Sequence, residues 1–272
     1  MTLYLREDFA RQWKGSDPFE RVEQLQGEVF RELEARRTLR FEFQGRSFFA
    51  KIHRGVGWWE IIENVLRLRA PVLGASNEWQ AIKRLETIGV DTMTAVAYGK
   101  RGSNPARQHS FIITEDLIDT ISLEDFCRDW PKQPPKLALK WALIDRVAWI
   151  ARQLHEHGIN HRDFYICHFL LDISAGVEQL DPNQLKLSLI DLHRAQLRST
   201  TPDRWVEKDL AALYFSAMEI GLTRRDLLRF VRAYCACDLR QALADRASLW
   251  ARLRRKADKL MARFQRKGDQ IR

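Results

Sequence analysis

The hydrophobic period of this chain changes once along its length. In TLRFEFQGRSFFAKIHR, residues 38–54, apolar and polar positions alternate on both sides of Gln44-Gly45. That is the pattern of a β-hairpin, with Gly45 supplying the positive φ of a tight turn. The upstream segment EVFRELEARR predicts an earlier strand and loop. In ASNEWQAIKRLETIGV, Ala81, Ile82, Leu85 and Ile88 recur at helical spacing, with Asn77 as the cap and Gly89 as the stop. TAVAYGKRGSNPARQHSFIIT reads as two strands joined by a Gly/Asn/Pro loop. After Asp119 the period becomes helical: Leu139, Leu143, Val147, Ile150 and Leu154 form one stripe. Two short strands are expected around HFLLDI and LKLSLIDL, then helices over 203–220, 223–237 and 239–265. A sheet-rich N-terminal lobe, 1–118, followed by a helical C-terminal lobe, 119–272, is an α+β arrangement with a cleft between the lobes.

Composition adds three constraints. The chain is 272 residues long and 45% apolar, enough for one large domain or two small lobes. Its 45 Lys and Arg exceed its 36 Asp and Glu, and residues 251–272 hold nine of the basic residues against two acids. Such a tail is either a solvated helix face or a surface for phosphate-rich partners: nucleic acid, anionic lipid or phosphorylated glycan. Cys127, Cys167, Cys235 and Cys237 contain no CxxC and read as reduced thiols of a cytosolic protein. MTLYLREDFARQWKG lacks a signal-peptide core, and no apolar run approaches the roughly 20 residues of a membrane span.

The densest chemistry lies in HEHGINHRDFYICHFLLD, residues 155–172, with four histidines, an arginine and two aspartates. Zinc is the first reading to test. His155, His157, His161 and His168 lack the spacing of a zincin or a finger, and His155 and His157 point apart on a helix. Phosphoryl transfer to a hydroxyl fits better. It needs an acid to orient the hydroxyl, oxygen ligands for magnesium and a cation on the nucleotide phosphates.

QLHEHGINHRDFYICHFLLD resembles the catalytic segment of the protein-kinase-like superfamily. The resemblance implies the protein-kinase-like two-lobed fold, with Asp163 as catalytic base and Arg162 bracing the loop. It implies further parts in order. Asp191, in SLIDLHRA, lies where the magnesium-binding Asp of the DFG motif would. Lys51, in SFFAKIH, resembles the phosphate-binding lysine, and Glu78 is its candidate ion-pair partner. FIITEDL, 111–117, resembles the strand and hinge whose backbone, from Glu115 to Leu117, would hold adenine. Asp209 looks like the helix aspartate that anchors the catalytic loop. Taken singly, each is an ordinary residue: a strand lysine, a first-turn acid, a strand end, a solvated helix position. Their order is what joins them.

Two positions depart from that pattern. No GxGxxG precedes Lys51; ELEARRT stands there, and Arg36 and Arg37 are candidates to meet phosphates by side-chain charge or to form a solvated basic turn. Five residues after Asp163, where kinases place an asparagine on magnesium, the chain has His168. Magnesium prefers oxygen. His168 is therefore a candidate for a phosphate contact, a metal-bound water or a different divalent ion. A pseudokinase that has lost activity is the remaining option.

Taken together, RRTLRFEFQGRSFFAKIHRGVGWWEIIENVLRLRAPVLGASNEWQAIKRL, HRDFYICHFLLD and IDLHRAQ resemble the bacterial lipopolysaccharide core heptose kinases and their relatives the Kdo kinases, over roughly residues 20–220. In that family the Phe-Tyr-Ile-Cys-His run makes His168 expected. The resemblance implies ATP and magnesium as cofactors, a lipopolysaccharide inner-core acceptor, and a cytoplasmic protein peripheral to the inner membrane. It leaves no role for nucleic acid. GVGWWEIIENVLRLRAPVLG, with Trp58 and Trp59, would either touch the membrane or acceptor or pack on the N-lobe. Arg252, Arg254, Arg255 and Lys256 are candidates for anionic headgroups. Nine tryptophans and four cysteines leave room for a helper protein or lipid of unknown identity. A Kdo kinase, a protein tyrosine kinase and a pseudokinase are the alternatives.

Overall fold

The computed structural model describes residues 1–33, 35–55, 57, 58 and 74–269. Most of the segment 55–74 therefore lies outside the described residues. The chain forms two compact units. The first comprises 1–84, 93–117 and 192–194; the second comprises 85–92, 118–191 and 195 onward.

The first unit is built on an antiparallel sheet of six strands among the described residues: β1 (Thr2–Leu5), β2 (Glu28–Leu33), β3 (Arg36–Phe43), β4 (Arg46–His53), β5 (Ala95–Arg101) and β6 (His109–Glu115). They are ordered β1-β5-β6-β4-β3-β2. The hairpin of β3 and β4 turns at Gln44 and Gly45, with φ of 50° and 71°. Two consecutive positive φ values make the turn type that matches strand twist. Strand alternation then sorts the side chains. Leu39, Phe41, Phe48, Ala50 and Ile52 are buried on one face, where Phe9, Trp13, Phe19 and Val22 cover them. Those covering residues come from helices α1 (Glu7–Gln12) and α2 (Pro18–Glu23) and the turn after α1. Neither helix is visible as periodicity, because six residues do not complete an apolar stripe.

Helix α3 spans Ser76–Thr87. The Trp79 N–H bonds the Ala75 carbonyl at 3.0 Å, so Ala75 stands at the capping position. Asn77 lies inside the first turn, which corrects the expectation that it caps the helix.

The second unit carries short sheets and helices. β7 (Thr120–Ser122), β9 (Phe169–Asp172) and β10 (Leu187–Leu189) form one sheet; β8 (Ile159–Asn160) pairs with β11 (Gln196–Leu197). Helix α4 (Leu123–Phe126) precedes α5 (Leu137–Glu156), whose Leu143, Val147, Ile150 and Leu154 are buried as the stripe predicts. Helices α6 (Asp203–Ser216) and α7 (Arg224–Cys235) follow. The helix expected over 239–265 is two: α8 (Leu239–Asp245) and α9 (Ala247–Asp269). Arg246, at φ −120°, ends α8, and its carbonyl accepts the Trp250 N–H of α9. The Trp250 indole N–H bonds the Ala242 carbonyl at 3.0 Å, satisfying a carbonyl exposed by the break.

Candidate active site

In the second unit, α5 delivers the chain to the catalytic-loop candidate. His157 follows the helix, and its Nδ1 lies 2.8 Å from the Gln153 carbonyl. Gly158 turns at φ 76°; a Cβ there would collide with the Arg198 carbonyl, which is why β11 can approach β8. The next residues are fixed by Asp209, fully buried in α6. Its Oδ2 accepts the His161 N–H at 2.6 Å and its Oδ1 accepts the Arg162 N–H at 2.9 Å. Hydrogen bonds to a carboxylate are stronger than neutral ones, so two such bonds define this backbone firmly. Asp209 thus anchors the segment. Below it, His155 Nε2 is 3.7 Å from Asp209 Oδ2, and His155 Nδ1 is 2.9 Å from the Tyr234 hydroxyl.

Two histidines tie this segment to Asp191. The His161 Nε2 is 2.9 Å from the Ile190 carbonyl, so that nitrogen carries the hydrogen. Burial holds the His161 pKa below the usual histidine value, and the ring is neutral. The Ile190 N–H in turn donates to the His168 carbonyl at 2.9 Å. His168 Nδ1 lies 2.6 Å from the Asp163 carbonyl. A carbonyl only accepts, so Nδ1 carries a hydrogen. That Nε2 stands 3.5 Å from Asp191 Oδ2.

Backbone strain falls at the same place. Arg162 has φ 76° and Asp191 φ 61°, a region non-glycine residues rarely enter. Each is held there by the bonds just described at its own or its neighbour's peptide. The pair His168 and Asp191 presents an imidazole nitrogen and a carboxylate oxygen. This donor set fits a divalent cation as two of its ligands. Among the described residues no group of three His, Cys, Asp or Glu side chains forms a metal cluster.

In the first unit, Lys51 Nζ and Glu78 Oε1 are 2.6 Å apart, with Glu78 only 1% exposed. Strand register separates the two candidate arginines. Arg36 pairs with His53 and shares the face of Lys51; Arg37 pairs with Ile52 on the other face. There Arg37 binds Glu32 at 3.0 Å and donates to the Glu23 carbonyl at 3.2 Å. His53 is buried beside Arg36 and Lys51. Burial first, then Arg36, Lys51 and His193, push its pKa down to about 3, leaving a neutral imidazole on a cationic face. Glu115 binds Arg6 at 2.5 Å and also pairs with Arg46. Its N–H is engaged by the Thr94 carbonyl at 2.9 Å. Leu117 follows β6 and is half-buried.

Of the four histidines, His155 and His161 are buried and bonded, His157 caps its own helix, and His168 faces Asp191. Sequence reading missed the His161 link to Ile190 and the Tyr234 support of His155. A tyrosine some 80 residues downstream gives no local signal.

The chain is similar to known proteins. Residues 20–234 match the model of the lipopolysaccharide kinase (Kdo/WaaP) family. A protein of Pseudomonas aeruginosa named lipopolysaccharide core heptose(I) kinase WaaP is 60% identical over 269 residues, 99% of each chain. One of the same name from Escherichia coli strain K12 is 53% identical, covering 97% of this chain and 98% of its own length. A solved structure described as WaaP in complex with acyl carrier protein superposes with a TM-score of 0.84 at 55% identity, covering 96% of this chain and 99% of that one. The chain belongs to the lipopolysaccharide kinase (Kdo/WaaP) family.

Proposed function

We propose that this protein transfers the terminal phosphoryl group of ATP to a hydroxyl of the first heptose in the lipopolysaccharide core. The observation that carries this reading is the segment His161-Arg162-Asp163. It hangs by its backbone from Asp209 and is tied through His168 to Asp191. In this reading Lys51, held by Glu78, meets the nucleotide phosphates from the first unit, with Arg36 on the same face. In the second unit Asp163 orients the heptose hydroxyl and accepts its proton as the new bond forms, and Arg162 fixes the loop behind it. Asp191 and His168 hold a divalent cation, magnesium or one that tolerates nitrogen better. When bound, that cation neutralises charge on the transferring phosphates. General-base assistance contributes about 10²–10⁴-fold, and positioning and electrostatics supply the rest.

The acceptor is joined to lipid, so the work is done beside the inner membrane. No helix of the described residues is long and apolar enough to cross one. Peripheral contact is supported by the long basic helix α9: Arg254 and Arg255 are exposed, while Arg252 and Lys256 bind Glu207.

Acyl carrier protein, found with the solved relative, is also proposed as a partner here. A cavity of about 450 Å³ supports this. It is lined by Leu143, Leu213, Phe230, Trp250 and Leu253, with Arg224 and Arg254 among its walls. Its size and polarity suit an acyl chain.

The test is transfer from γ-labelled ATP to dephosphorylated heptosylated lipopolysaccharide, beside Asp163→Ala and a Kdo-lipid A acceptor. Label in the heptosylated glycan with the parent, and none with the variant, is expected. Label only in Kdo-lipid A would reassign the acceptor, and a variant as active as the parent would remove Asp163 from the mechanism.

A further inference from the structure

The apolar stripe of α9 outruns the core. Leu249, Leu253 and Ala257 are buried, Leu260 is half-buried, and Phe264, next in the row, is 62% exposed. Their spacing of three and four puts them on one helix face. The Phe264 ring meets Phe215, near the end of α6, edge to face at 6.0 Å between centres. Phe215 meets Tyr165 in the same way at 6.4 Å. Both distances lie in the range that aromatic pairs prefer. Tyr165 stands two residues after Asp163, and its N–H donates to the Asp163 carbonyl at 3.0 Å. Its ring also stands edge-on to His168, 6.0 Å between centres. The backbone fixes this meeting of catalytic segment and helix. The Ile166 N–H donates to the Ser216 hydroxyl oxygen at 3.0 Å, and that hydroxyl donates to the Leu213 carbonyl at 3.0 Å. An aromatic row thus runs from the catalytic segment to the exposed end of α9.

A row of cations lies beside it. Lys259, Arg263 and Arg266 recur at the same helical spacing, each exposed. None of the three forms an ion pair among the described residues; Arg266 bonds the Ala262 carbonyl of its own helix at 3.1 Å. Asp258 is the one acid between Lys256 and Arg266, and it belongs to neither row. Three properties therefore describe the occupant. It offers surfaces that pack on aromatic rings, it carries negative charge, and it reaches Asp163. The C–H faces of sugar rings are apolar and slightly positive, and they suit the negative face of an aromatic ring. Negative charge on the occupant suits the cations. The acceptor of the proposed reaction is an anionic glycan that must itself arrive at Asp163, so it meets all three conditions. A lipid surface would cover the end of α9 and need no aromatic row leading to the catalytic segment.

We propose that Tyr165, Phe215 and Phe264 form a platform for sugar rings of the acceptor that neighbour the phosphorylated heptose, with Arg263 and Arg266 beside it for the glycan's charge. This rests on the proposed function and names how that acceptor is held. The platform binds neighbouring sugars and so sets which glycan places a hydroxyl before Asp163. Covering a phenylalanine with a sugar ring removes apolar surface from water, so losing the ring costs about fivefold or more in acceptor binding.

The experiment uses the full-length protein and a soluble, deacylated core oligosaccharide as acceptor, beside the same core on lipid in vesicles. Phe264 is exposed enough to be changed without opening the core. Phe264→Leu keeps an apolar side chain and removes the ring; Phe264→Tyr keeps the ring. With the deacylated acceptor, Phe264→Leu is expected to raise the acceptor KM about fivefold or more, with kcat and the KM for ATP at parent values. Phe264→Tyr is expected to restore the parent KM. Arg263→Gln/Arg266→Gln is expected to raise the acceptor KM and to flatten its dependence on salt. A parent-like KM in Phe264→Leu overturns the proposal. A deficit confined to the vesicle-borne acceptor assigns the face to lipid, and parent-like glycan kinetics with weakened binding of acyl carrier protein assigns it to that partner; either result overturns the platform. A lowered unfolding midpoint in Phe264→Leu, with the KM for ATP and kcat disturbed as much as the acceptor KM, makes Phe264 a cover for Phe215 and also overturns it. If the parent phosphorylates neither acceptor, the proposed function falls. Titration calorimetry of the deacylated oligosaccharide with parent, Phe264→Leu and Phe264→Tyr then decides the platform on its own: binding weakened by leucine and kept by tyrosine supports it, and equal binding or none removes it.

Discussion

His168 and Asp163 are joined across five residues by a hydrogen bond of 2.6 Å from the imidazole Nδ1 to the aspartate's main-chain carbonyl. The bond turns the imidazole's other nitrogen toward Asp191. One side chain thus sets the loop behind the candidate base and faces the candidate metal ligand.

Replacing His168 tests both roles. His168→Ala should lower kcat by about 10²-fold or more, because metal affinity typically falls 10–100-fold when a ligand's supporting contacts are lost. His168→Asn restores an oxygen donor of the kind magnesium prefers and should recover part of the activity. Titrating each variant with magnesium and with manganese checks this. The asparagine variant should favour magnesium more than the parent does; an unchanged metal preference would remove His168 from the metal site.

Asp209 anchors the segment by two backbone bonds from a fully buried position. Asp209→Ala strands two amide N–H groups, and His155 loses the carboxylate it faces at 3.7 Å. Stability should fall by on the order of 3 kcal/mol and transfer should be lost. Asp209→Asn keeps one acceptor oxygen and should lie between. Denaturant unfolding with parallel activity measurements decides it. Parent-like activity in Asp209→Ala would show that the loop is held by other contacts.

The ion pair of Lys51 and Glu78 predicts a nucleotide phenotype. Glu78→Gln keeps the shape and removes the charge that positions Lys51 at 2.6 Å. The KM for ATP should rise by about tenfold or more, with the acceptor KM unchanged, since an ion pair becomes a weaker bond from the ammonium to a neutral amide. Steady-state kinetics in both substrates makes the check. A shift confined to the acceptor would place the pair elsewhere in the reaction.

Much of this site is legible in one sequence because its parts lie in short runs. His161 to His168 are contiguous, and the alternation of SFFAKIH already places Lys51 opposite Ala50 and Ile52. Arg36 and Arg37 show where such reading stops. Adjacent residues look equivalent as a basic pair, yet the pleat sends one to the Lys51 face and the other to Glu32. The approach of Arg162 and Arg198 to the Trp205 ring is invisible for another reason. They reach that ring only because β8 and β11 pair across Gly158, a contact that depends on a glycine with φ 76°. The helices of residues 7–23 escape detection because they are too short to show a period, although Phe9 and Phe19 are fully buried.

Acid should find a weak point far from this chemistry. Lys140 of α5 and Asp226 of α7 form an ion pair at 2.7 Å, with side chains 10% and 4% exposed. Burial pushes the Asp226 pKa upward, but Lys140 and the Thr223 backbone and hydroxyl outweigh it, and the folded value lies below the ordinary 3.8. Between that folded value and 3.8 the unfolded chain binds more protons than the folded one. The stabilisation is therefore complete above 3.8 and is lost as pH falls through the folded value. Asp226→Asn removes this dependence and leaves the Lys140 charge without its partner, so at neutral pH it should be less stable by about 3 kcal/mol. Urea midpoints at pH 7, 5 and 3 test both statements. The parent should lose stability mainly in the last step, and the gap between parent and variant should narrow there. Parallel lines from pH 7 to pH 3 would show that the acid sensitivity of the fold arises from other carboxylates.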